Sequence, residues 1–164
     1  MLALNNGMLL HASAVVKGGK TFLFLGVSGA GKSTIAALSR KYTVLGDDII
    51  AIRKCGRHYY AFQTPWRQQP FIKLKRGLKG KAAAIFFIKK SNRVSFRYLP
   101  PEKALANILS NHIHFLAATG DEPLKKIFST ACDLVKNIPA YEMEFVKERS
   151  FWPGLEEKIS AARR

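Results

Sequence analysis

Three groups of residues in this 164-residue chain have types and spacings that could do chemistry. The first is Gly26-Val27-Ser28-Gly29-Ala30-Gly31-Lys32-Ser33, which satisfies G-x-x-x-x-G-K-[ST] at every fixed position and is followed by Thr34. Gly26, Gly29 and Gly31 free the backbone to bring its N–H groups, with those of Ser28 and Ala30, close to a polyphosphate. Lys32 can reach the β- and γ-phosphates, and the Ser33 hydroxyl can ligate Mg2+. The positive end of a helix starting near Lys32 adds to that field. These residues are the expected binding site for ATP or another nucleoside triphosphate.

The second group is Asp47 and Asp48, about fifteen positions beyond Lys32. One carboxylate at a strand end beside a phosphate loop can hold Mg2+, and another can accept a proton from an attacking hydroxyl. Adjacent acids can divide these tasks when nearby charges keep both ionised. Gly46-Asp47-Asp48 also suits a plain surface turn; its nearness to the glycine loop favours the functional reading. The third is His11, alone in the apolar stretch Met8 to Val16. Such a histidine is usually a satisfied core residue, and its place one strand before the glycine loop keeps it a candidate.

The elements that must hold these groups follow from local pattern. Thr21 to Leu25 reads as a short buried strand running into the loop, and TIAALSRKY as a helix with Ile35 and Leu38 on one face. Met8 to Val16 and the Thr21 strand form a hairpin across Gly18-Gly19. Strands are expected at Tyr42 to Leu45, Ile49 to Ile52 and His58 to Gln63, with a turn at Gly56-Arg57. A basic, loop-like run carrying Gly77 and Gly80 precedes strands at Ala82 to Lys89 and Val94 to Leu99. A helix is expected from Pro101 to about Ala118, with Leu105, Ile108, Leu109 and Phe115 toward the core. His112 and His114, two apart, make a poor metal pair on a helix and read as structural. Asp121 opens a further helix stopped by Pro139. Tyr141 to Lys147 alternates like an edge strand, and Phe151-Trp152 precedes a short terminal helix.

Length and the 48% hydrophobic content fit one globular domain over residues 1–164. Cys55 and Cys132 lack metal spacing and read as reduced thiols of a cytoplasmic protein. No apolar run approaches the ~20 residues of a membrane span, and no basic segment leads a secretory signal. Charge is the odd feature: of 27 Lys and Arg, 13 lie between Ile49 and Pro101, a window without Asp or Glu. That skew suits nucleic acid, an acidic lipid headgroup or an acidic protein, or is a solvated face. Interleaved aromatics such as Tyr59, Tyr60 and Trp66 suggest strands as readily as base stacking, so nucleic acid is the less favoured partner without being excluded.

Together the pieces resemble the kinase domain of the HPr kinase/phosphorylase family, and within it HPr-kinase-related proteins encoded near peptide-modifying gene clusters. ATP-dependent phosphoenolpyruvate carboxykinases are more distantly similar. The resemblance rests on LLHASAV at Leu9 to Val15, GVSGAGKST at Gly26 to Thr34 and LGDDIIAI at Leu45 to Ile52. Weaker echoes are TPW at Thr64 to Trp66, AIFFIKK at Ala84 to Lys90, IPAYEMEF and SFW. It implies an α/β P-loop-containing nucleotide-binding fold, a mixed sheet flanked by helices. It also implies transfer of the γ-phosphate of ATP, with Mg2+, to a serine hydroxyl of a small protein or peptide. Asp47 would be the base, Asp48 and Ser33 would hold metal, and His11 would orient the acidic pair. Two departures stand out. Relatives tend to carry an acid shortly after the TPW-like segment, where this chain has Arg67-Gln68-Gln69, with Gln69 the expected equivalent. Relatives also carry a preceding region, so the chain reads as a fragment or a minimal version.

Two other functions compete: a nucleotide-binding regulatory or degenerate module without turnover, and a nucleic-acid-stimulated P-loop ATPase. A homo-oligomer stays open, as does GTP or pyrophosphate as donor.

Overall fold

The computed structural model describes residues 5–111, 113, 121–147 and 150–161. Strand β1 (Gly7–Lys17) turns at Gly18-Gly19 into β2 (Lys20–Leu25). Both glycines have positive φ, +56° and +72°, as a two-residue hairpin turn requires. The glycine loop leads into α1 (Lys32–Leu38), then β3 (Thr43–Gly46), β4 (Ile49–Cys55), β5 (His58–Phe62), β6 (Lys79–Lys90) and β7 (Ser95–Leu99). Helices α2 (Pro101–Asn111) and α3 (Asp121–Asn137), strand β8 (Ala140–Phe145) and α4 (Trp152–Ala161) follow.

All eight strands join one mixed sheet, mostly antiparallel, in the order β2-β1-β4-β5-β6-β8-β7, with β3 on β1 and β2 also on β6. The β2–β6 contact closes β1, β2, β6, β5 and β4 into a ring of pairings. β2, β6 and β8 run parallel, so their carboxyl ends, Leu25, Lys90 and Phe145, share one rim of the sheet. β1 is the other organiser: its first half pairs β4 and its second half pairs β2 and β3.

Helices cover both faces. In α3, Ile127, Ala131, Leu134 and Val135 recur at helical spacing and, with Ala104 and Ile108 of α2, pack on Leu10, Leu23, Leu25, Ile50 and Ile85. On the opposite face Ile35 of α1 and Phe151, Trp152 and Leu155 meet Phe22, Phe24, Phe86, Met143 and Phe145. The buried Trp152 indole N–H donates to Ser39 Oγ at 3.2 Å, so the apolar ring is buried with its polar atom satisfied.

Three expectations need correction. Gly80 lies inside β6, not in the preceding loop: a Cβ there would strike Thr21 Oγ1 of neighbouring β2, so close strand approach explains the glycine. β8 is not an edge strand but lies between β6 and β7, its Glu142 and Glu144 meeting Arg97 and Arg93. Helix α2 ends at Asn111, because Ile113 bridges Leu10 of β1. The expectations for His112, His114 and Phe115 lie outside the described residues. Among the described residues, no helix is long and apolar enough to cross a membrane.

Candidate functional site

The glycine loop leaves β2 at the rim where the parallel strands end. Two glycines have packing reasons to be there. At Gly26 a Cβ would lie 2.7 Å from the Ala30 Cβ and 2.9 Å from Ile88. At Gly31, φ is +111° and a Cβ would sit 2.5 Å from Phe145 Cζ. The loop is folded on itself: Ala30 N–H donates to Val27 O at 3.0 Å, and Ile35 N–H to Gly31 O at 2.9 Å. With only seven residues, α1 contributes a weak axial field, so any anion here would rely on the loop amides and on Lys32.

The Lys32 side chain is buried along this loop. Its Nζ donates to Gly26 O at 2.7 Å and to Val27 O at 3.2 Å. Burial holds its pKa below that of an ordinary lysine, and the charge of Asp48 pulls in the opposite direction. An ammonium held by two carbonyls is a cation ready to exchange weak acceptors for stronger, charged ones.

Asp47 and Asp48 fill the step between β3 and β4, both of which pair with β1. Being adjacent, they are held by different neighbours. Asp48 Oδ1 lies 3.2 Å from His11 Nε2, and its backbone O accepts from Ala12 N–H at 2.9 Å, so β1 anchors it twice. Asp47 is 1% exposed, and its Oδ1 accepts the Gln68 N–H at 2.9 Å. Its Oδ2 has no hydrogen-bond partner among the described residues. A buried carboxylate oxygen without a donor is costly, and a cation or a hydroxyl proton would relieve it.

These groups meet around a cavity of about 240 Å3. His11, Ser28, Gly29, Gly31, Lys32, Ser33, Thr34 and Asp47 border it. Gly26, Ala30 and Asp48 do not border it; Gly26 lines a separate cavity instead, and Asp48 reaches the wall through His11. Two bordering residues escaped sequence reasoning. Lys90, at the end of β6, brings a second cation, and Gln68 places its Oε1 3.3 Å from Ser33 Oγ. The amide facing Ser33 is therefore Gln68, not Gln69. Only the strand echo AIFFIKK pointed toward Lys90, and nothing local marked its role.

A larger cavity of about 790 Å3 adjoins Gly26 and Val27 on the β7–β8 side. Four of its five ionic residues already answer one another, Arg93 with Glu144 and Arg97 with Glu142, so both of its carboxylates are already engaged. Among the described residues no group of three or more His, Cys, Asp or Glu could hold a metal alone. A site built on Ser33 and one or two carboxylates fits Mg2+, which binds few protein oxygens and completes its shell with phosphates and water.

The family described as SynChlorMet cassette protein ScmC matches residues 1–160. No curated protein matches the sequence. Among solved structures, the Hpr(Ser) kinase/phosphatase from Coxiella burnetii is similar over 95% of each chain, at 11% identity and a TM-score of 0.43. A likeness of that degree carries nothing about chemistry.

Proposed function

The chain belongs to the SynChlorMet cassette protein ScmC family, and from the cavity at its glycine loop we propose that it is an ATP- and Mg2+-dependent phosphotransferase acting on a serine hydroxyl of a small protein or peptide. One observation carries the reading: Lys32 and Ser33 of the glycine loop and Asp47, about fifteen positions later, border a single small cavity. The loop amides and Lys32 would bind the triphosphate, with Lys32 exchanging its Gly26 carbonyl partner for a phosphate oxygen. Mg2+, held by Ser33 directly and by Asp48 through water, since Asp48 does not border the cavity, would neutralise phosphate charge. Asp47 would take the serine proton as the serine oxygen bonds to the γ-phosphorus and the bond to ADP breaks. The Gln68 N–H orients Asp47, and His11 orients Asp48. Lys90 would add positive charge at the same wall.

The test is phosphate transfer from labelled ATP to serine peptides by the parent and by Asp47→Asn. Transfer by the parent and its loss in Asp47→Asn, with ATP binding retained, is expected. Equal transfer by both would remove Asp47 as base. One observation favours a second reading, a nucleotide-binding module without turnover: Ser33 faces the neutral Gln68 amide where a carboxylate would serve metal better. That reading requires ATP binding with no transfer to any acceptor.

A further inference from the structure

The loop between β5 and β6 borders two cavities, and only one belongs to the site above. Its Gln68 end closes the Lys32 cavity; its Phe71–Leu78 end closes a second cleft of about 250 Å3 against the segment that follows α1. Arg40, Lys73 and Lys75 line this cleft beside Val44, Phe71 and Leu78, and among the described residues no carboxylate borders it. The walls are fixed. Arg40 stacks on Phe71 with 4.6 Å between guanidinium carbon and ring centroid. Gln63 ties the loop by donating to Leu45 O and Lys73 O and by accepting the Lys75 N–H at 2.7 Å. Ile72 is buried beneath, while Arg40, Lys73 and Lys75 are exposed.

We propose that this cleft docks an acidic segment of the peptide acceptor, seating a carboxylate among Arg40, Lys73 and Lys75 with an apolar neighbour against Phe71 and Leu78. Charge complementarity selects the occupant: three cations converge on one compact apolar-floored cleft, where a duplex or a membrane would need a track or a plane. The inference rests on the phosphotransferase reading and specifies its substrate. The two cavities lie at opposite ends of α1, whose seven residues span about 10 Å. An extended peptide rises about 3.3 Å per residue, so the docked acid falls roughly three to four residues from the acceptor serine.

The experiment measures fluorescence anisotropy of labelled serine peptides on the full chain, without ATP, at low and moderate salt. One peptide series carries a Glu pair three to four residues to either side of the serine, another carries it ten residues away, and a third carries Lys instead. The acidic peptides should bind and the Lys peptides should not. Lys73→Ala/Lys75→Ala, checked by thermal melting, should weaken binding about tenfold. In transfer assays only the short spacing should support phosphorylation. Unchanged acidic-peptide affinity in the double variant overturns the proposal. So does tighter binding of a 20-nucleotide RNA or of phosphatidylserine vesicles that the same variant abolishes. Because binding is read without nucleotide, peptide binding with no transfer defeats the phosphotransferase reading alone, and transfer without any effect of the variant defeats the docking cleft alone.

Discussion

Replacing Lys32 by Met separates what this residue does for the fold from what it would do for a nucleotide. Methionine keeps the unbranched apolar stem, one atom shorter, and removes the charge. An ammonium about 4 Å from a phosphate oxygen, at an effective dielectric of about 20, gains about 4 kcal/mol. To reach that phosphate it surrenders the 2.7 Å bond to Gly26 O, worth about 1.5 kcal/mol for a charged donor. The balance is on the order of 2.5 kcal/mol, or roughly 70-fold in Kd. Without nucleotide the opposite pressures nearly cancel, since the variant loses two hydrogen bonds but no longer buries a charge, and stability should move by no more than about 1 kcal/mol. The sign with pH is also fixed. A lysine whose folded pKa lies below its unfolded value of 10.5 weakens the folded state while charged. That penalty fades as pH rises through the folded pKa toward 10.5, so the parent should gain on Lys32→Met across that window. Calorimetric titration with Mg-ATP, beside nucleotide-free melts, measures both halves. A Lys32→Met protein that binds Mg-ATP within about threefold of the parent would refute the assignment of this lysine to phosphate.

Three further outcomes follow from the geometry. Gly31→Ala puts a Cβ 2.5 Å from Phe145 Cζ at φ +111° and should lower unfolding free energy by at least about 2 kcal/mol, read as a lower urea midpoint. Hydrogen bonds from Lys54 and Tyr59 hold the Asp133 pKa below its ordinary 3.8, so its contribution is present above that value and lost as pH falls through the folded pKa. Melts of Asp133→Asn should therefore show less acid sensitivity below about pH 4 than the parent. Gln68→Glu places a carboxylate by Ser33 and should lower the Mg2+ concentration needed for nucleotide-induced stabilisation; an unchanged Mg2+ titration would contradict that geometry.

What could be read from sequence was what local pattern determines. The hairpin turn at Gly18-Gly19, the strand into the glycine loop and the start of α1 each depend on a few consecutive residues. So does the extent of α3, marked by Asp121 at its start and Pro139 beyond its end. The misreadings came from partners distant in the chain. Gly80 has no local signal distinguishing a loop glycine from one squeezed by Thr21 of a neighbouring strand. Glu142 and Glu144 made β8 resemble an edge because the partners that meet them, Arg97 on β7 and Arg93 just before it, lie more than forty positions earlier. At the site, the glycine loop and Asp47-Asp48 carry their own signatures. Gln68 and Lys90 reach the cavity only through a long loop and the far end of a twelve-residue strand. The basic window likewise gave no hint that Lys73 and Lys75 share a cleft with Arg40 while Arg93 and Arg97 face glutamates.

The closing contact between β2 and β6 also has a cost in time. Lys20 pairs with Lys81, about sixty positions later, so the segment bearing Lys32 must wait for distant chain before it gains its second neighbour. At roughly 5–20 residues per second of synthesis, that is a delay of several seconds in which the nascent glycine segment has a hairpin on one side and solvent on the other. Non-local pairing of this kind slows folding generally. Ribosome-bound chains halted before residue 90 should therefore present this segment to proteases, and protection should arrive with the emergence of β6.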